Sequence, residues 1–524
     1  MEKFIARHAQ KIASTLSGFD RLVFRGTLRA LRNRGIHGFL KRAGVRLLDF
    51  GEFAEGTTKK VKSAVLQEAV EADRPIEYLD SAKISKEDRA RELLNQHPMV
   101  GPGLICALTV IEPCMRFEYH RSQVVEERGL RLRPGKCLHI YKYYEHPLFG
   151  FMHMRLQTYF PFDVQICMNG RVWLARELAT RGSGFERADN CFTRLDEPNL
   201  AQRLMDEQLR MPWSATLDAL LKTLNPLHEE VFRPWPLTYW WVAYQTEWAT
   251  DLAFEDSATL ANLYPSLVRH AVDHFKSPDV LRFLGKVERQ SWKHNIVSSF
   301  KERPEGVRVK HWLNGNSVKM YDKAGSVLRI ETTIGNPKDF KVTRPRGEDE
   351  RAERLMPSER AKLVNRNMRK SVADLKRRAA LSQGSNERYL DALSVVTDTT
   401  PCKRLFDAVA RPIIDNGRRF RALRLSDSAD LSLLAAISRG EFTINGLRNR
   451  DLRPYLFSTP QTEEEQQRLS AKVSRLLRLL RAHGLVQKLP KSHRYRLTER
   501  GQLLTAALRA TRDASLEQLL EKAA

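Results

Sequence analysis

Cysteine is scarce in this chain: there are six in 524 residues, and none forms a Cys-x-x-Cys pair. That argues against a zinc ribbon, and so few thiols in so long a chain fit a reducing compartment. Long apolar runs are also missing. The longest, from Leu104 to Ile111, is far too short to span a bilayer. The opening MEKFIARHAQK lacks the apolar segment of a secretory signal. No GxxxxGK[ST] loop, GxSxG elbow or HExxH is present, which disfavours a P-loop ATPase, an α/β-hydrolase and a zincin. There is no internal repeat and no low-complexity tract. A cytoplasmic protein of roughly two to four domains is the expectation.

Positive charge is abundant. Lys and Arg number 88 against 63 Asp and Glu, a formal net charge of +25. From Lys341 to Ala524 there are 38 basic and 22 acidic residues, against 50 and 41 before them. A C-terminal third this basic predicts attraction to a polyanion. Nucleic acid is the expected partner, with DNA favoured and RNA fitting the same charge. Neither end carries a basic amphipathic helix with aromatic anchors, so no membrane partner is expected.

Hydrophobic periodicity predicts a multidomain α+β chain. Residues 1–102 read as a mostly helical, basic N-terminal region, in which Arg21, Arg25, Arg29 and Arg32 would line one helix face. Residues 103–342 read as an α+β body with two antiparallel β blocks and intervening helices. In the first block Asn169-Gly170 predicts a hairpin turn. The aromatic run PWPLTYWWVAYQTEWATDLAF between the blocks reads as a core helix. The second block, VRVKHWLNGNSVKMYDKAGSVLRIETTI, has turn signals at Asn314-Gly315 and Ala324-Gly325 and predicts a three-stranded meander. Residues 343–428 read as a charged linker and basic helical segment, with eight basic residues and only Asp374 acidic between Arg360 and Arg378.

Residues 429–524 carry the clearest pattern. DLSLLAAISR predicts a first helix, and EFTINGLRNRDLRPYLF runs into a second. EEEQQRLSAKVSRLLRLLRAH predicts a third, closed by Gly484. Two short strands, LVQKL and RYRLT, flank the loop PKSH, and a last helix follows. The words RLLRLLRAHGLVQKL and YRLTERG resemble the winged helix-turn-helix domains of MarR-like bacterial regulators. The resemblance covers about 85 residues. It implies a third helix set in the DNA major groove and a basic wing against the backbone. The residues that would make those contacts are Lys472, Arg475 and Arg478 on the helix and Lys488, Lys491, Arg494 and Arg496 on the wing. Arg448 and Arg450 of the second helix would share the phosphate contacts.

The body offers candidates for chemistry. In KMYDKAGSVLRIETT, Lys319 and Tyr321 share a face of one strand, and Arg329 and Glu331 a face of the next. A tyrosine beside cations suits nucleophilic attack on a phosphodiester, because positive charge favours phenolate. SVKMYDKAGSVLRIE resembles the strand pair of rolling-circle replication initiators of small plasmids and filamentous phages, which implies DNA nicking by a tyrosine. The His-hydrophobic-His motif of many such nickases has no counterpart, since His139, His146 and His153 lie seven apart. A carboxylate beside the tyrosine would hold Mg²⁺ in such an enzyme. Glu331 or Asp322 would supply it, joined by Glu247 and Asp251, taken as one helical turn apart. No other cofactor is implied. Two readings follow: a nucleic-acid-binding protein that finds its site through a C-terminal winged helix, or a nickase or transposase-like enzyme of a mobile element. The sequence leaves catalysis open.

Overall fold

The computed structural model describes residues 1–120, 129–275, 277–285, 296–303, 306–348, 356–394, 401–438, 447–489 and 493–513. The chain divides into a central unit, Ala13–Ala253 with Glu331–Gln383, and a terminal unit, Met1–Ile12 with Phe254–Ile330 and Gly384–Ala524. Among the described residues no helix is long and apolar enough to cross a membrane.

The strands, in chain order, are β1 (Ile12–Thr27), β2 (Ile76–Leu79), β3 (Gly103–His120), β4 (Gly129–His146), β5 (Gly150–Gln157), β6 (Val164–Asn169), β7 (Phe185–Ala188), β8 (Cys191–Leu195), β9 (Trp240–Phe254), β10 (Ile296–Arg303), β11 (Gly306–Leu313), β12 (Asn316–Lys323) and β13 (Val327–Ile334). In the central unit they follow the order β13-β9-β1-β6-β5-β4-β3-β2, where β13 contributes residues 331–334. The sheet is mixed: β2 runs parallel to β3, while β3 to β6 and β1 pair antiparallel. One face buries Leu22, Phe24, Met154 and Ile166 against apolar stripes of flanking helices, among them Phe39, Val65, Leu174 and Leu217. Each such side chain stabilises the fold by about 1.5–3 kcal/mol. On the opposite face of β3 and β4, Leu108, Tyr141 and Tyr143 pack against Ala90 and Leu93 of the helix Lys86–Gln96.

Three local expectations are corrected in this unit. Ile12–Thr27 is a strand, not a helix bearing a basic face. Residues four apart share a side in a strand as well as in a helix, so the spacing of Arg21 and Arg25 did not discriminate; the buried alternation of Leu22 and Phe24 is the strand signal. For the same reason Trp240–Phe254, read as a core helix, is a strand. Asn169-Gly170 makes no hairpin. Asn169 ends β6 and caps the helix Gly170–Thr180, its Oδ1 accepting the N–H groups of Arg171 and Val172. A Cβ at Gly170 would lie 2.3 Å from the Phe19 carbonyl oxygen, so only glycine fits that crossing.

Where charge predicts a linker from residue 343, Lys341–Pro345 pairs with Leu363–Asn367. Asp374, fully buried, accepts hydrogen bonds from Arg344, Arg369 and Arg377 at 3.0–3.3 Å. These cations are internal to the fold rather than spread along a free arm.

The terminal unit holds the meander β10-β11-β12 and residues 327–330 of β13. Its turns fall at the expected dipeptides, with positive φ at Asn314, Gly315, Ala324 and Gly325. Its C-terminal part has a separate core of Leu433, Leu452, Val473, Leu477, Leu480, Leu485 and Leu504. The helices Ser428–Ile437, Asn449–Leu456 and Glu463–Ala482 precede the hairpin Val486–Lys488/Tyr495–Leu497. Leu447 adds a bridge to Tyr495, and the helix Glu499–Asp513 follows. The Thr462 hydroxyl caps the helix Glu463–Ala482, and three glutamates in its first turn suit the positive end of the dipole. A Cβ at Gly501 would strike the Leu485 carbonyl oxygen at 2.2 Å, so the first turn of the last helix packs there only with glycine.

Candidate metal centre and basic surfaces

Asp20 of β1, Glu247 of β9 and Glu331 of β13 each offer a carboxylate oxygen, all within 4.8 Å of one another. The three strands are adjacent in the central unit, so the ladder itself brings the acids together. Asp20 is 3% exposed and Glu331 1%. Asp20 accepts hydrogen bonds from the Asn169 and Asn190 amides at 2.7–2.8 Å, and the Gln245 amide donates to Glu247 at 3.1 Å. Three carboxylates at this spacing, two of them buried, repel when ionised together, and a proton, a side-chain cation or a metal ion offsets that repulsion. Oxygens bound to one Mg²⁺ at about 2.1 Å span up to about 4.2 Å across the ion. The group therefore fits an all-oxygen divalent cation after small side-chain adjustments.

Two of these acids, Glu247 and Glu331, were legible in the sequence; Asp20 was not. Its signal was a single acid inside the apolar run LSGFDRLVF, which the helical reading hid. Asp251 lies elsewhere. It is 3% exposed and pairs at 3.4 Å with Arg171, fully buried, whose guanidinium also donates to the carbonyls of Leu16 and Ala249. Asp251 is thus the counter-ion of a buried arginine. Asp322 of β12 is half-buried, and burial raises its carboxyl above the usual range; it does not join the group of three.

Lys319 and Tyr321 share the half-exposed face of β12, whose other face buries Val318 and Met320. Arg329 is fully buried on β13 and falls on the same side of that strand as Glu331. The three spaced histidines form no metal group among the described residues. Burial pushes His139 down to about 4 and His153 down to about 3, so both are neutral near pH 7. His146 accepts the N–H groups of Leu148 and Phe149.

Cations meet aromatic rings on the central unit. The Arg25 guanidinium lies 3.5 Å over the Tyr244 ring, with the Lys370 ammonium 6.0 Å from the same ring. Arg29 lies 4.0 Å over Trp240, which is 37% exposed. On the helix Glu463–Ala482, Lys472, Arg475, Arg478 and Arg481 are exposed, opposite buried Val473, Leu477 and Leu480. Lys472 stands 4.8 Å from the Phe457 ring. Lys488, Arg496 and Arg450 are exposed, and Arg448 and Arg494 half-buried. Lys491 lies outside the described residues.

No family model matches the chain, and no curated protein and no solved structure does either.

Proposed function

We propose that the protein binds DNA and carries out metal-dependent chemistry on phosphodiesters. The observation that carries the reading is the meeting of Asp20, Glu247 and Glu331 within 4.8 Å on three neighbouring strands. Buried acids are costly and are kept where a cation uses them. Mg²⁺ held there would supply Lewis-acid polarisation of a phosphoryl oxygen. Asn169 and Asn190 orient Asp20, and Gln245 orients Glu247. The Arg25–Tyr244 and Arg29–Trp240 pairs supply positive charge with flat rings, the combination that grips a nucleic-acid strand.

DNA engagement in this reading also uses the C-terminal elements as a winged helix. Support comes from the helix order, the single bridge from Leu447 to Tyr495 beside the hairpin, and the exposed cations of the helix Glu463–Ala482. If the centre proves inert, those cations still favour a binding protein without cleavage.

The test incubates purified protein with supercoiled and single-stranded DNA, with and without Mg²⁺. Metal-dependent nicking is expected, lost in Glu331→Gln and Asp20→Asn. A covalent DNA–protein adduct that disappears in Tyr321→Phe would assign the nucleophile to Tyr321; cleavage without an adduct assigns it to water. Cleavage that persists in both carboxylate variants, or none with any divalent metal, removes the catalytic reading.

A further inference from the structure

Cys114 on β3 and Cys137 on β4 place their sulfurs 3.4 Å apart. In the antiparallel register Cys114 faces Gly135 and Cys137 faces Glu112, so the thiols are diagonal neighbours. Gly135 has no side chain to hold them apart. Both thiols are half-exposed, whereas Cys106, Cys167 and Cys191 are buried and Cys402 is exposed and far along the chain. No histidine or carboxylate completes a metal group around the pair among the described residues. The hydrogen bond with Cys137, helped by the Arg116 and Arg155 guanidiniums, holds the Cys114 thiol below its ordinary value. The same contact, with burial, pushes the Cys137 thiol up. The contact thus favours loss of the first proton from Cys114 rather than from Cys137.

We propose that Cys114 and Cys137 are a thiol–disulfide site that closes a reversible cross-strand bond by exchange with a low-molecular-weight disulfide such as oxidised glutathione. The Cys114 thiolate attacks one glutathione sulfur, forms a mixed disulfide and expels one glutathione thiolate. Cys137 then loses its proton to solvent and attacks Sγ of Cys114. The protein disulfide forms and the second glutathione leaves as thiolate. Two protein thiols are oxidised and one external disulfide is reduced to two thiols. Bond formation requires the sulfurs to close by about 1.4 Å, from contact to a bonded length near 2.05 Å.

The test equilibrates the full chain with excess oxidised glutathione, quenches with an alkylating agent and maps the products by mass spectrometry. Two of the six thiols should be lost as one bond joining Cys114 and Cys137, lowering the protein mass by two hydrogens and reversing with a dithiol reductant. Cys402 should instead carry a glutathione adduct, absent in Cys402→Ser. In Cys137→Ser, Cys114 should retain a persistent adduct, because nothing resolves it. The proposal is overturned if Cys114 and Cys137 remain alkylatable in the unmodified chain, or if its Cys114 keeps a stable adduct. The wild-type protein decides the matter, so a variant that fails to fold does not.

Discussion

Divalent cation and fold should be linked through Glu331. Two unit charges no more than 4.8 Å apart repel by at least about 3 kcal/mol at an effective dielectric near 20. A bound dication would offset repulsion of that order between each ionised pair. At a free Mg²⁺ concentration a hundredfold above Kd, linkage stabilises the folded state by about 2.7 kcal/mol. The central unit has about 290 residues, and unfolding entropy is about 2 cal/mol/K per residue, so Tm should rise by about 4 °C. Glu331→Gln removes one charge at nearly constant volume. It should abolish the Mg²⁺ shift. Differential scanning calorimetry with EDTA and with graded Mg²⁺ measures this. A Mg²⁺ shift of equal size in Glu331→Gln would refute the assignment of the cation to these acids.

Replacing Arg475 and Arg478 together by alanine should weaken DNA binding about tenfold or more in a gel-shift titration, the scale of lost base or phosphate contacts. Asp251→Ala should destabilise the protein by about 3–5 kcal/mol in urea denaturation, because it removes a carboxylate paired with the buried Arg171 charge, and should leave the Mg²⁺ shift in place. Acid should weaken the fold through His139 and His153. Burial lowers them to about 4 and about 3, while an unfolded imidazole takes up its proton near 6.5. The unfolded chain binds more protons between those values, so this stability is complete above about pH 6.5 and is lost as pH falls towards 4. His139→Gln should flatten the fall in the urea midpoint across that range.

The sequence carried the turn chemistry at Asn314-Gly315, because asparagine and glycine readily adopt left-handed backbone; at Ala324-Gly325 only the glycine gave that signal. It also carried the boundaries of the helix Glu463–Ala482, whose acidic start and Gly484 stop are local signals. Residues 12–27 and 240–254 were misread where arginines or acids four apart suit helix and strand alike. The cost was Asp20, since an acid on a helix surface is ordinary while an acid inside a buried strand is not. The meeting of residues 20, 247 and 331 depends on strand order, a long-range property that no local window holds. The Arg344–Asp374 network escaped for a related reason: composition counts charges but does not show which ones neutralise each other.

Asn169 shows how one position can be chemically irreplaceable without touching a reacting group. Its carbonyl oxygen takes two backbone N–H groups at the start of a helix, and its amide donates to Asp20. Serine, threonine or aspartate would serve the helix equally well. Serine and threonine have one short hydroxyl to serve both neighbours, and aspartate has no donor and would set a fourth anion against the cluster. Of the side chains that commonly begin helices, only the primary amide satisfies both neighbours. A substitution that looks harmless for secondary structure would therefore remove one of the two amides that orient Asp20.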